Sequence, residues 1–348
     1  MSKRNYGIDL LRLVLMFMIC IMHTVGRGRL LDYYEPCTLK YNINWLMYVL
    51  SCCSVDGFAI ISGYVANDKS TKYSRLIELW FQVFFYSCFI TLFFRVLGFA
   101  DDYDSTEILT LIFPVTSKQY WYFTAYFGAF FFFPLIKKYV FAMKAETAGK
   151  MLILFFILFS VMEMNNDMFY LNTGTSLIWL IILYCIGALA KKCDLFADKK
   201  TWFLIMIFLI SSVVSWLAYI IGGLDTLYIH ISPTMLLNGL ILVIVFARIN
   251  INGKIIKHLS PLAFGIYLFH VNRIIWDDFC GSVKELVSSN TIVMIIQVIG
   301  ISCFLCVMGL IVDFIRKKLF DFLHIHEFSI ALEESFKKII GNCSRLLR

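Results

Sequence analysis

Apolar residues in this chain are gathered into long runs broken by short polar segments, rather than spread as one-sided stripes. Several runs approach ~20 residues, the length that crosses a ~30 Å hydrocarbon core as helix. Ten such helices are expected, at 8–26, 43–66, 77–99, 120–140, 150–163, 175–190, 202–222, 231–247, 259–276 and 291–315. The fifth and sixth are short, so they extend into neighbouring polar residues or lie deep in the bundle. The fold class that follows is all-α, a polytopic bundle of ten transmembrane helices.

The polar segments orient the bundle. With the N-terminus inside, most of the 31 Lys and Arg residues fall in the inner segments 1–7, 67–76, 137–149, 191–201, 248–258 and 316–348. Arg27, Arg29, Lys40, Lys118 and Lys284 fall outside, where the acidic stretches "ADDYDSTE" and "WDDF" also lie. Basic residues collect on the cytoplasmic side of a membrane. A miscount of one helix would invert that pattern beyond it, so both termini are expected in the cytoplasm.

Composition agrees. The chain is 60% hydrophobic and 16% charged, whereas soluble domains carry roughly 25% charged residues. The net charge of +7 sits in loops that set topology, so no nucleic-acid partner is expected. Eleven cysteines are scattered, most within apolar runs, with no metal spacing, and they read as small hydrophobes. Lys3 and Arg4 before an apolar run resemble a signal peptide, but no small-residue cleavage site follows, so the run is expected to stay as the first span. Residues 1–315 form the membrane domain. Residues 316–348 form a basic amphipathic tail, expected as a cytoplasmic helix on the membrane surface. His324 and His326 are two apart, which does not pair them on a helix, and no metal is expected.

Ionisable residues inside the runs carry the chemistry, because each costs at least a few kcal/mol in hydrocarbon. In the first span, Arg12 and His23 point within ~20° of one another, ~16–17 Å apart along the axis. Asp9 is three residues before Arg12 and in reach of it. Arg12 reads either as a residue snorkelling to the cytoplasmic rim or as part of a polar face. His23 lies too deep to snorkel; an interhelical hydrogen bond is the competing reading. Asp56 lies near mid-membrane in the second span, in "SVDGFAIISGY", and must be protonated, paired or beside water. Gly57, Ser62 and Gly63 beside it permit close helix packing. In the ninth span, "PLAFGIYLFHVNRIIW", His270 is central, with Tyr267 one turn inward and Arg273 one turn outward. Three spans therefore converge on a polar cavity, or His270 and Tyr267 serve an interhelical contact. Asn238 and Gln297 read as interhelical glue.

These features, in this order, resemble the membrane acyltransferase family 3. The resemblance rests on the Arg-x10-His pair Arg12 and His23, on "VDGFAIISGY", on the Trp…Pro run "WYFTAYFGAFFFFPLI" in the fourth span, and on "FGIYLFHV", a Tyr-Leu-x-His motif. It covers residues 5–315. The resemblance implies transfer of an acyl group, usually acetyl, from cytoplasmic acyl-CoA to a hydroxyl of an extracytoplasmic glycan or its lipid-linked precursor, in a bacterial plasma membrane. The family's Arg-x-x-Arg motif before the third span stands here as "KYSR". On that reading Lys72 and Arg75, with Arg12, meet the phosphates of acetyl-CoA. His23 is the general base, oriented by Asp56. His270, Arg273 and Tyr267 hold the glycan or the oxyanion. A secondary transporter would also place Asp, His and Arg at mid-membrane, although no repeat halves stand out. A non-catalytic subunit of a polysaccharide-assembly system is the other alternative.

Overall fold

The computed structural model describes residues 4–98, 105–251, 253–288 and 290–346; residues 100–104 of the acidic stretch "ADDYDSTE" lie outside them. Among the described residues the protein is helical, without strands. Helix α1 (Tyr6–Gly26) starts at Asn5, whose side chain accepts the N–H of Ile8. Helix α2 (Leu39–Tyr64) starts at Thr38 in the same way. These caps satisfy backbone N–H groups that have no partner within the helix. Helix α3 (Ser74–Val96) contains a π-helical turn at Tyr86–Ile90. Next come α4 (Trp121–Phe130) and α5 (Phe133–Ala142), bent by 57° from one another. Pro134, which has no N–H to donate to the preceding turn, explains the break. Helix α6 (Ala145–Phe156) runs on into a π turn. Then follow α7 (Leu177–Lys192), α8 (Thr201–Gly222), α9 (Pro233–Ala247), α10 (Ala263–His270), α11 (Thr291–Phe322) and α12 (Ile325–Leu346).

Among the described residues, five helices are long and apolar enough to cross a membrane: α1 continued to Tyr33, α2, α3, α8 and α11. The bent pair α4 and α5 makes a sixth if taken as one span. The other four expected spans correspond to shorter helices. Helix α6 has 12 residues before its π turn, α7 has 16, α9 has 15 and α10 has 8. A helix sheathed by protein need not match the thickness of the hydrocarbon, since neighbouring side chains and backbone satisfy its ends. Helix α7 shows this, with Trp179, Leu183, Ile186 and Ala190 all buried. The ninth run breaks after His270, where buried Asn272 accepts the N–H of Ile274 and donates to the carbonyl of Tyr86. Helices α8 and α11 instead turn apolar side chains outward, Ile210 at 57% exposed and Ile296 at 63%. These are the faces lipid would cover.

Helix α2 is the hub, packed against α1, α7 and α9. A Cβ on Gly63 would overlap the carbonyl of Tyr184, and one on Gly187 would overlap the carbonyl of Ile60. The two glycines therefore let the backbones of α2 and α7 touch. Asn238 joins α9 to α8 through Ser211 and Ser212, as its type suggested. Gln297 instead ties down the preceding loop, accepting from Ser288 and donating to Leu286.

Helix α12 folds back onto the start of α3. Glu333 accepts the N–H of Ser74 at 2.8 Å, His326 bonds Glu78 at 2.6 Å, and the rings of Phe328 and Phe81 lie 5.9 Å apart. Phe336, Ile339 and Ile340 are left exposed. The amphipathic tail thus packs against the protein along one side, while an apolar strip remains uncovered.

Candidate active site

Two cavities lie along α1. The larger, of about 1030 Å³, opens beside the start of α1 and the end of α11, and its wall carries Arg4, Arg12, Arg75, Arg316 and Lys317. The smaller, of about 110 Å³, lies further along the same helix and holds His23, with Tyr122, His230 and Tyr267 in its wall. Arg12 lines the larger cavity and His23 the smaller one.

In the first cavity, Asp9 accepts from Arg12 at 2.7 Å, from Ser260 at 3.2 Å and also from Arg4. One buried carboxylate thereby holds two guanidinium groups at the rim. Arg75 joins them in the wall; Lys72, three residues earlier, is exposed and is not part of it. Arg316 of α11, also in this wall, is paired with Asp313 on the same helix. Arg316 donates from Nε and Nη2 to the two oxygens of Asp313 at 2.7 and 2.8 Å. Gln82 and Tyr86 of α3 donate to the same carboxylate at 2.8 and 3.2 Å. A fully buried carboxylate requires partners of this kind.

In the second cavity, His23 Nδ1 lies 2.8 Å from His270 Nε2, and His270 Nδ1 lies 2.6 Å from the carbonyl of Ile266. A carbonyl only accepts, so His270 carries its proton on Nδ1 and offers a lone pair at Nε2. His23 then donates from Nδ1, which leaves its Nε2 lone pair free. The sequence does not contain this order of protons; the geometry imposes it on a neutral pair. Trp276, four residues past the break at Asn272, packs edge-on against His23 with ring centres 4.7 Å apart. Arg27 clamps Trp276 by donating to its carbonyl at 3.3 Å, lying over its ring and pairing with Asp277.

The remaining expected site residues fall in different places. Tyr267 lines the chamber, and its buried hydroxyl makes no hydrogen bond among the described residues. Asp56 is fully buried, its hydrogen bond comes from Trp179 Nε1 at 3.0 Å, and its second oxygen has no partner among the described residues. The hydrogen bond at His23 Nδ1 goes to His270, while the one on Asp56 ties α2 to α7. Arg273 is exposed beyond the end of α10. His230 is a wall residue not legible in the sequence. It comes from the loop before α9, and Gly174, at φ +98°, packs so closely that a Cβ there would overlap His230. No group of three metal-ligating side chains gathers among the described residues.

The arrangement offers a cation-lined mouth at one end of a helix and an imidazole with a free lone pair near the other, within a multi-pass membrane bundle. No curated protein and no solved structure matches the chain. A family model described as an acyltransferase domain matches residues 5–312, nearly the whole chain, and the protein belongs to that family, acyltransferase family 3.

Proposed function

We propose that this membrane acyltransferase moves an acyl group, acetyl in the first instance, from cytoplasmic acyl-CoA to a hydroxyl of an extracytoplasmic cell-envelope glycan or its lipid-linked precursor. The observation that carries the reading is the placement of Arg12 and His23 in two successive cavities of one helix. The proposal includes ten crossings with both termini in the cytoplasm of a bacterial plasma membrane, the shorter helices α6, α7, α9 and α10 completing the count.

On this reading the phosphates of the donor stay in the vestibule with Arg12, Arg75 and Arg316, since planar guanidinium groups suit phosphate oxygens. The thin pantetheine arm leads the thioester to the chamber. The acceptor hydroxyl oxygen attacks the thioester carbonyl carbon while His23 Nε2 takes its proton. His270 stabilises the resulting imidazolium, because His23 Nδ1–H already points at its lone pair. The tetrahedral oxyanion meets the Tyr267 hydroxyl, a donor otherwise without a partner. Collapse breaks the C–S bond, and His23 returns the proton to the departing thiolate. The ester and free CoA result, and the enzyme is restored.

The test is a strain lacking the gene, complemented with wild type or His23→Ala, both confirmed in the membrane at equal level. Mild base releases ester-linked acetate from purified surface glycans. Restoration by wild type alone supports the reading. Equal restoration by both removes His23 from the chemistry. A change of solute flux without any ester would favour transport instead.

A further inference from the structure

The vestibule and the inner chamber have two wall residues in common, Phe58 of α2 and Phe264 of α10. Both are half-buried, and both are braced by other rings. Phe58 meets Tyr122 edge-on with centres 6.4 Å apart. Phe264 stacks on Tyr267 at 5.8 Å and leans on Phe123 at 6.1 Å. Tyr122 and Tyr267 in turn touch each other at 6.2 Å. Polarity changes sharply across the pair. On one side stand Arg12, Arg75 and Arg316; on the other, Met16, Ile19 and Val55 surround His23.

A base poised to deprotonate a sugar hydroxyl will also deprotonate water. Water entering from the vestibule would attack the same carbonyl carbon, break the C–S bond, and release acetate and CoA without any product on the glycan. Excluding water from a closed site suppresses such side reactions. We propose that Phe58 and Phe264 form an aromatic septum that the thioester arm must part, and that this septum sets the ratio of acyl transfer to thioester hydrolysis. The inference rests on the acyl-transfer reading above and adds two specificity-determining residues to it. Neither ring supplies a proton or a charge; they act by sealing around the arm. Aromatic rings suit that task, because a flat apolar face closes on a thin chain with little side-chain entropy to lose.

The experiment uses inverted membrane vesicles, with the cytoplasmic face outward, given acetyl-CoA labelled in the acetyl group. Label is counted as base-labile ester on envelope glycan and as free acetate, with vesicles lacking the protein as the blank. Wild type is compared with Phe58→Ala, Phe264→Ala, Phe58→Leu and the double alanine variant, each matched for protein in the membrane. The expected result is a ratio of free acetate to ester that rises about tenfold in the double variant, a change readily resolved on the rate scale. Phe58→Leu, which keeps an apolar plug, should stay near wild type and shows that the fold tolerates change there. Wild type that esterifies glycan, with an unchanged ratio in a well-expressed double variant, would overturn the septum and leave the acyl-transfer reading standing. Wild type that forms no ester from acetyl-CoA would overturn both.

Discussion

His23 on α1 donates its Nδ1 proton to His270 on α10 across 2.8 Å, and His270 is itself locked by the carbonyl of Ile266 four residues earlier. The chain of bonds fixes which nitrogen of His23 keeps its lone pair. A lone imidazole would divide between two tautomers, only one of which serves as base at a given nitrogen.

Substitution of the two histidines should therefore separate base from positioner. His23→Ala should lower ester formation by ~10²-fold or more, the usual contribution of a general base. His270→Ala should lower it less. His270→Gln should recover part of that loss, because an amide oxygen can accept the Nδ1 proton of His23. Base-released acetate from surface glycan measures all three. Full activity in His270→Ala would show that His23 needs no partner.

Asp313 and Arg316 make a second prediction. Removing one member of a buried, hydrogen-bonded ion pair strands the other, typically at a cost of about 3–5 kcal/mol. Asp313→Asn should sharply lower the unfolding midpoint of detergent-solubilised protein. The double variant Asp313→Asn with Arg316→Gln should recover part of the loss, since no unpaired charge remains. A single variant as stable as wild type would mean that water reaches the pair.

Helix packing gives the third. Gly63→Val sets a branched side chain against the backbone of α7, where the carbonyl of Tyr184 cannot swing away. Overpacking of this kind costs about 1–3 kcal/mol. Gly300→Ala on the exposed face of α11 meets nothing within 4 Å and should be neutral or stabilising, because alanine is the better helix former by about 1 kcal/mol. Thermal unfolding in one detergent compares the two. Equal effects would contradict close contact of α2 with α7.

Much of this site is legible in the sequence, and the exceptions have physical reasons. Asp9 with Arg12, and His23 beyond them, can be read from helical spacing because all three sit on one helix. Asp313 with Arg316 has the same three-residue spacing. It falls where the last apolar run gives way to "RKK", so depth alone does not mark Asp313 as buried; the partners Gln82 and Tyr86 come from α3. His230 enters the site from a loop, by the close approach of Gly174, and Trp276 from the π-helical turn that follows the break at Asn272. Neither leaves a periodic trace. The expected count of ten spans rests on hydropathy runs, and such runs do not separate a lipid-facing helix from a short one enclosed by protein.

The last prediction concerns the tail. Burial works against a charged Glu333, yet Lys337 at 2.7 Å and the N–H groups of Tyr73 and Ser74 outweigh it, drawing the carboxyl from its ordinary 4.5 down to about 2. A carboxylate at the start of a helix is favoured there, as the N–H groups and the helix dipole both point at it. Lys337 lies on α12 itself and stays beside Glu333 in either state, so only the part of the lowering owed to Ser74 and Tyr73 is linked to docking; that part is present above the ordinary carboxyl range and is lost as the pH falls from 4.5 towards 2. The contribution of Glu333 to docking of α12 on α3 should therefore be constant through the neutral range and fall only in strong acid. Glu333→Gln should weaken docking at neutral pH and flatten the dependence. Spin labels on α12 and on the segment before α3 would report the distance between them over that range. A separation that already grows between pH 7 and 6 would remove Glu333 from the role.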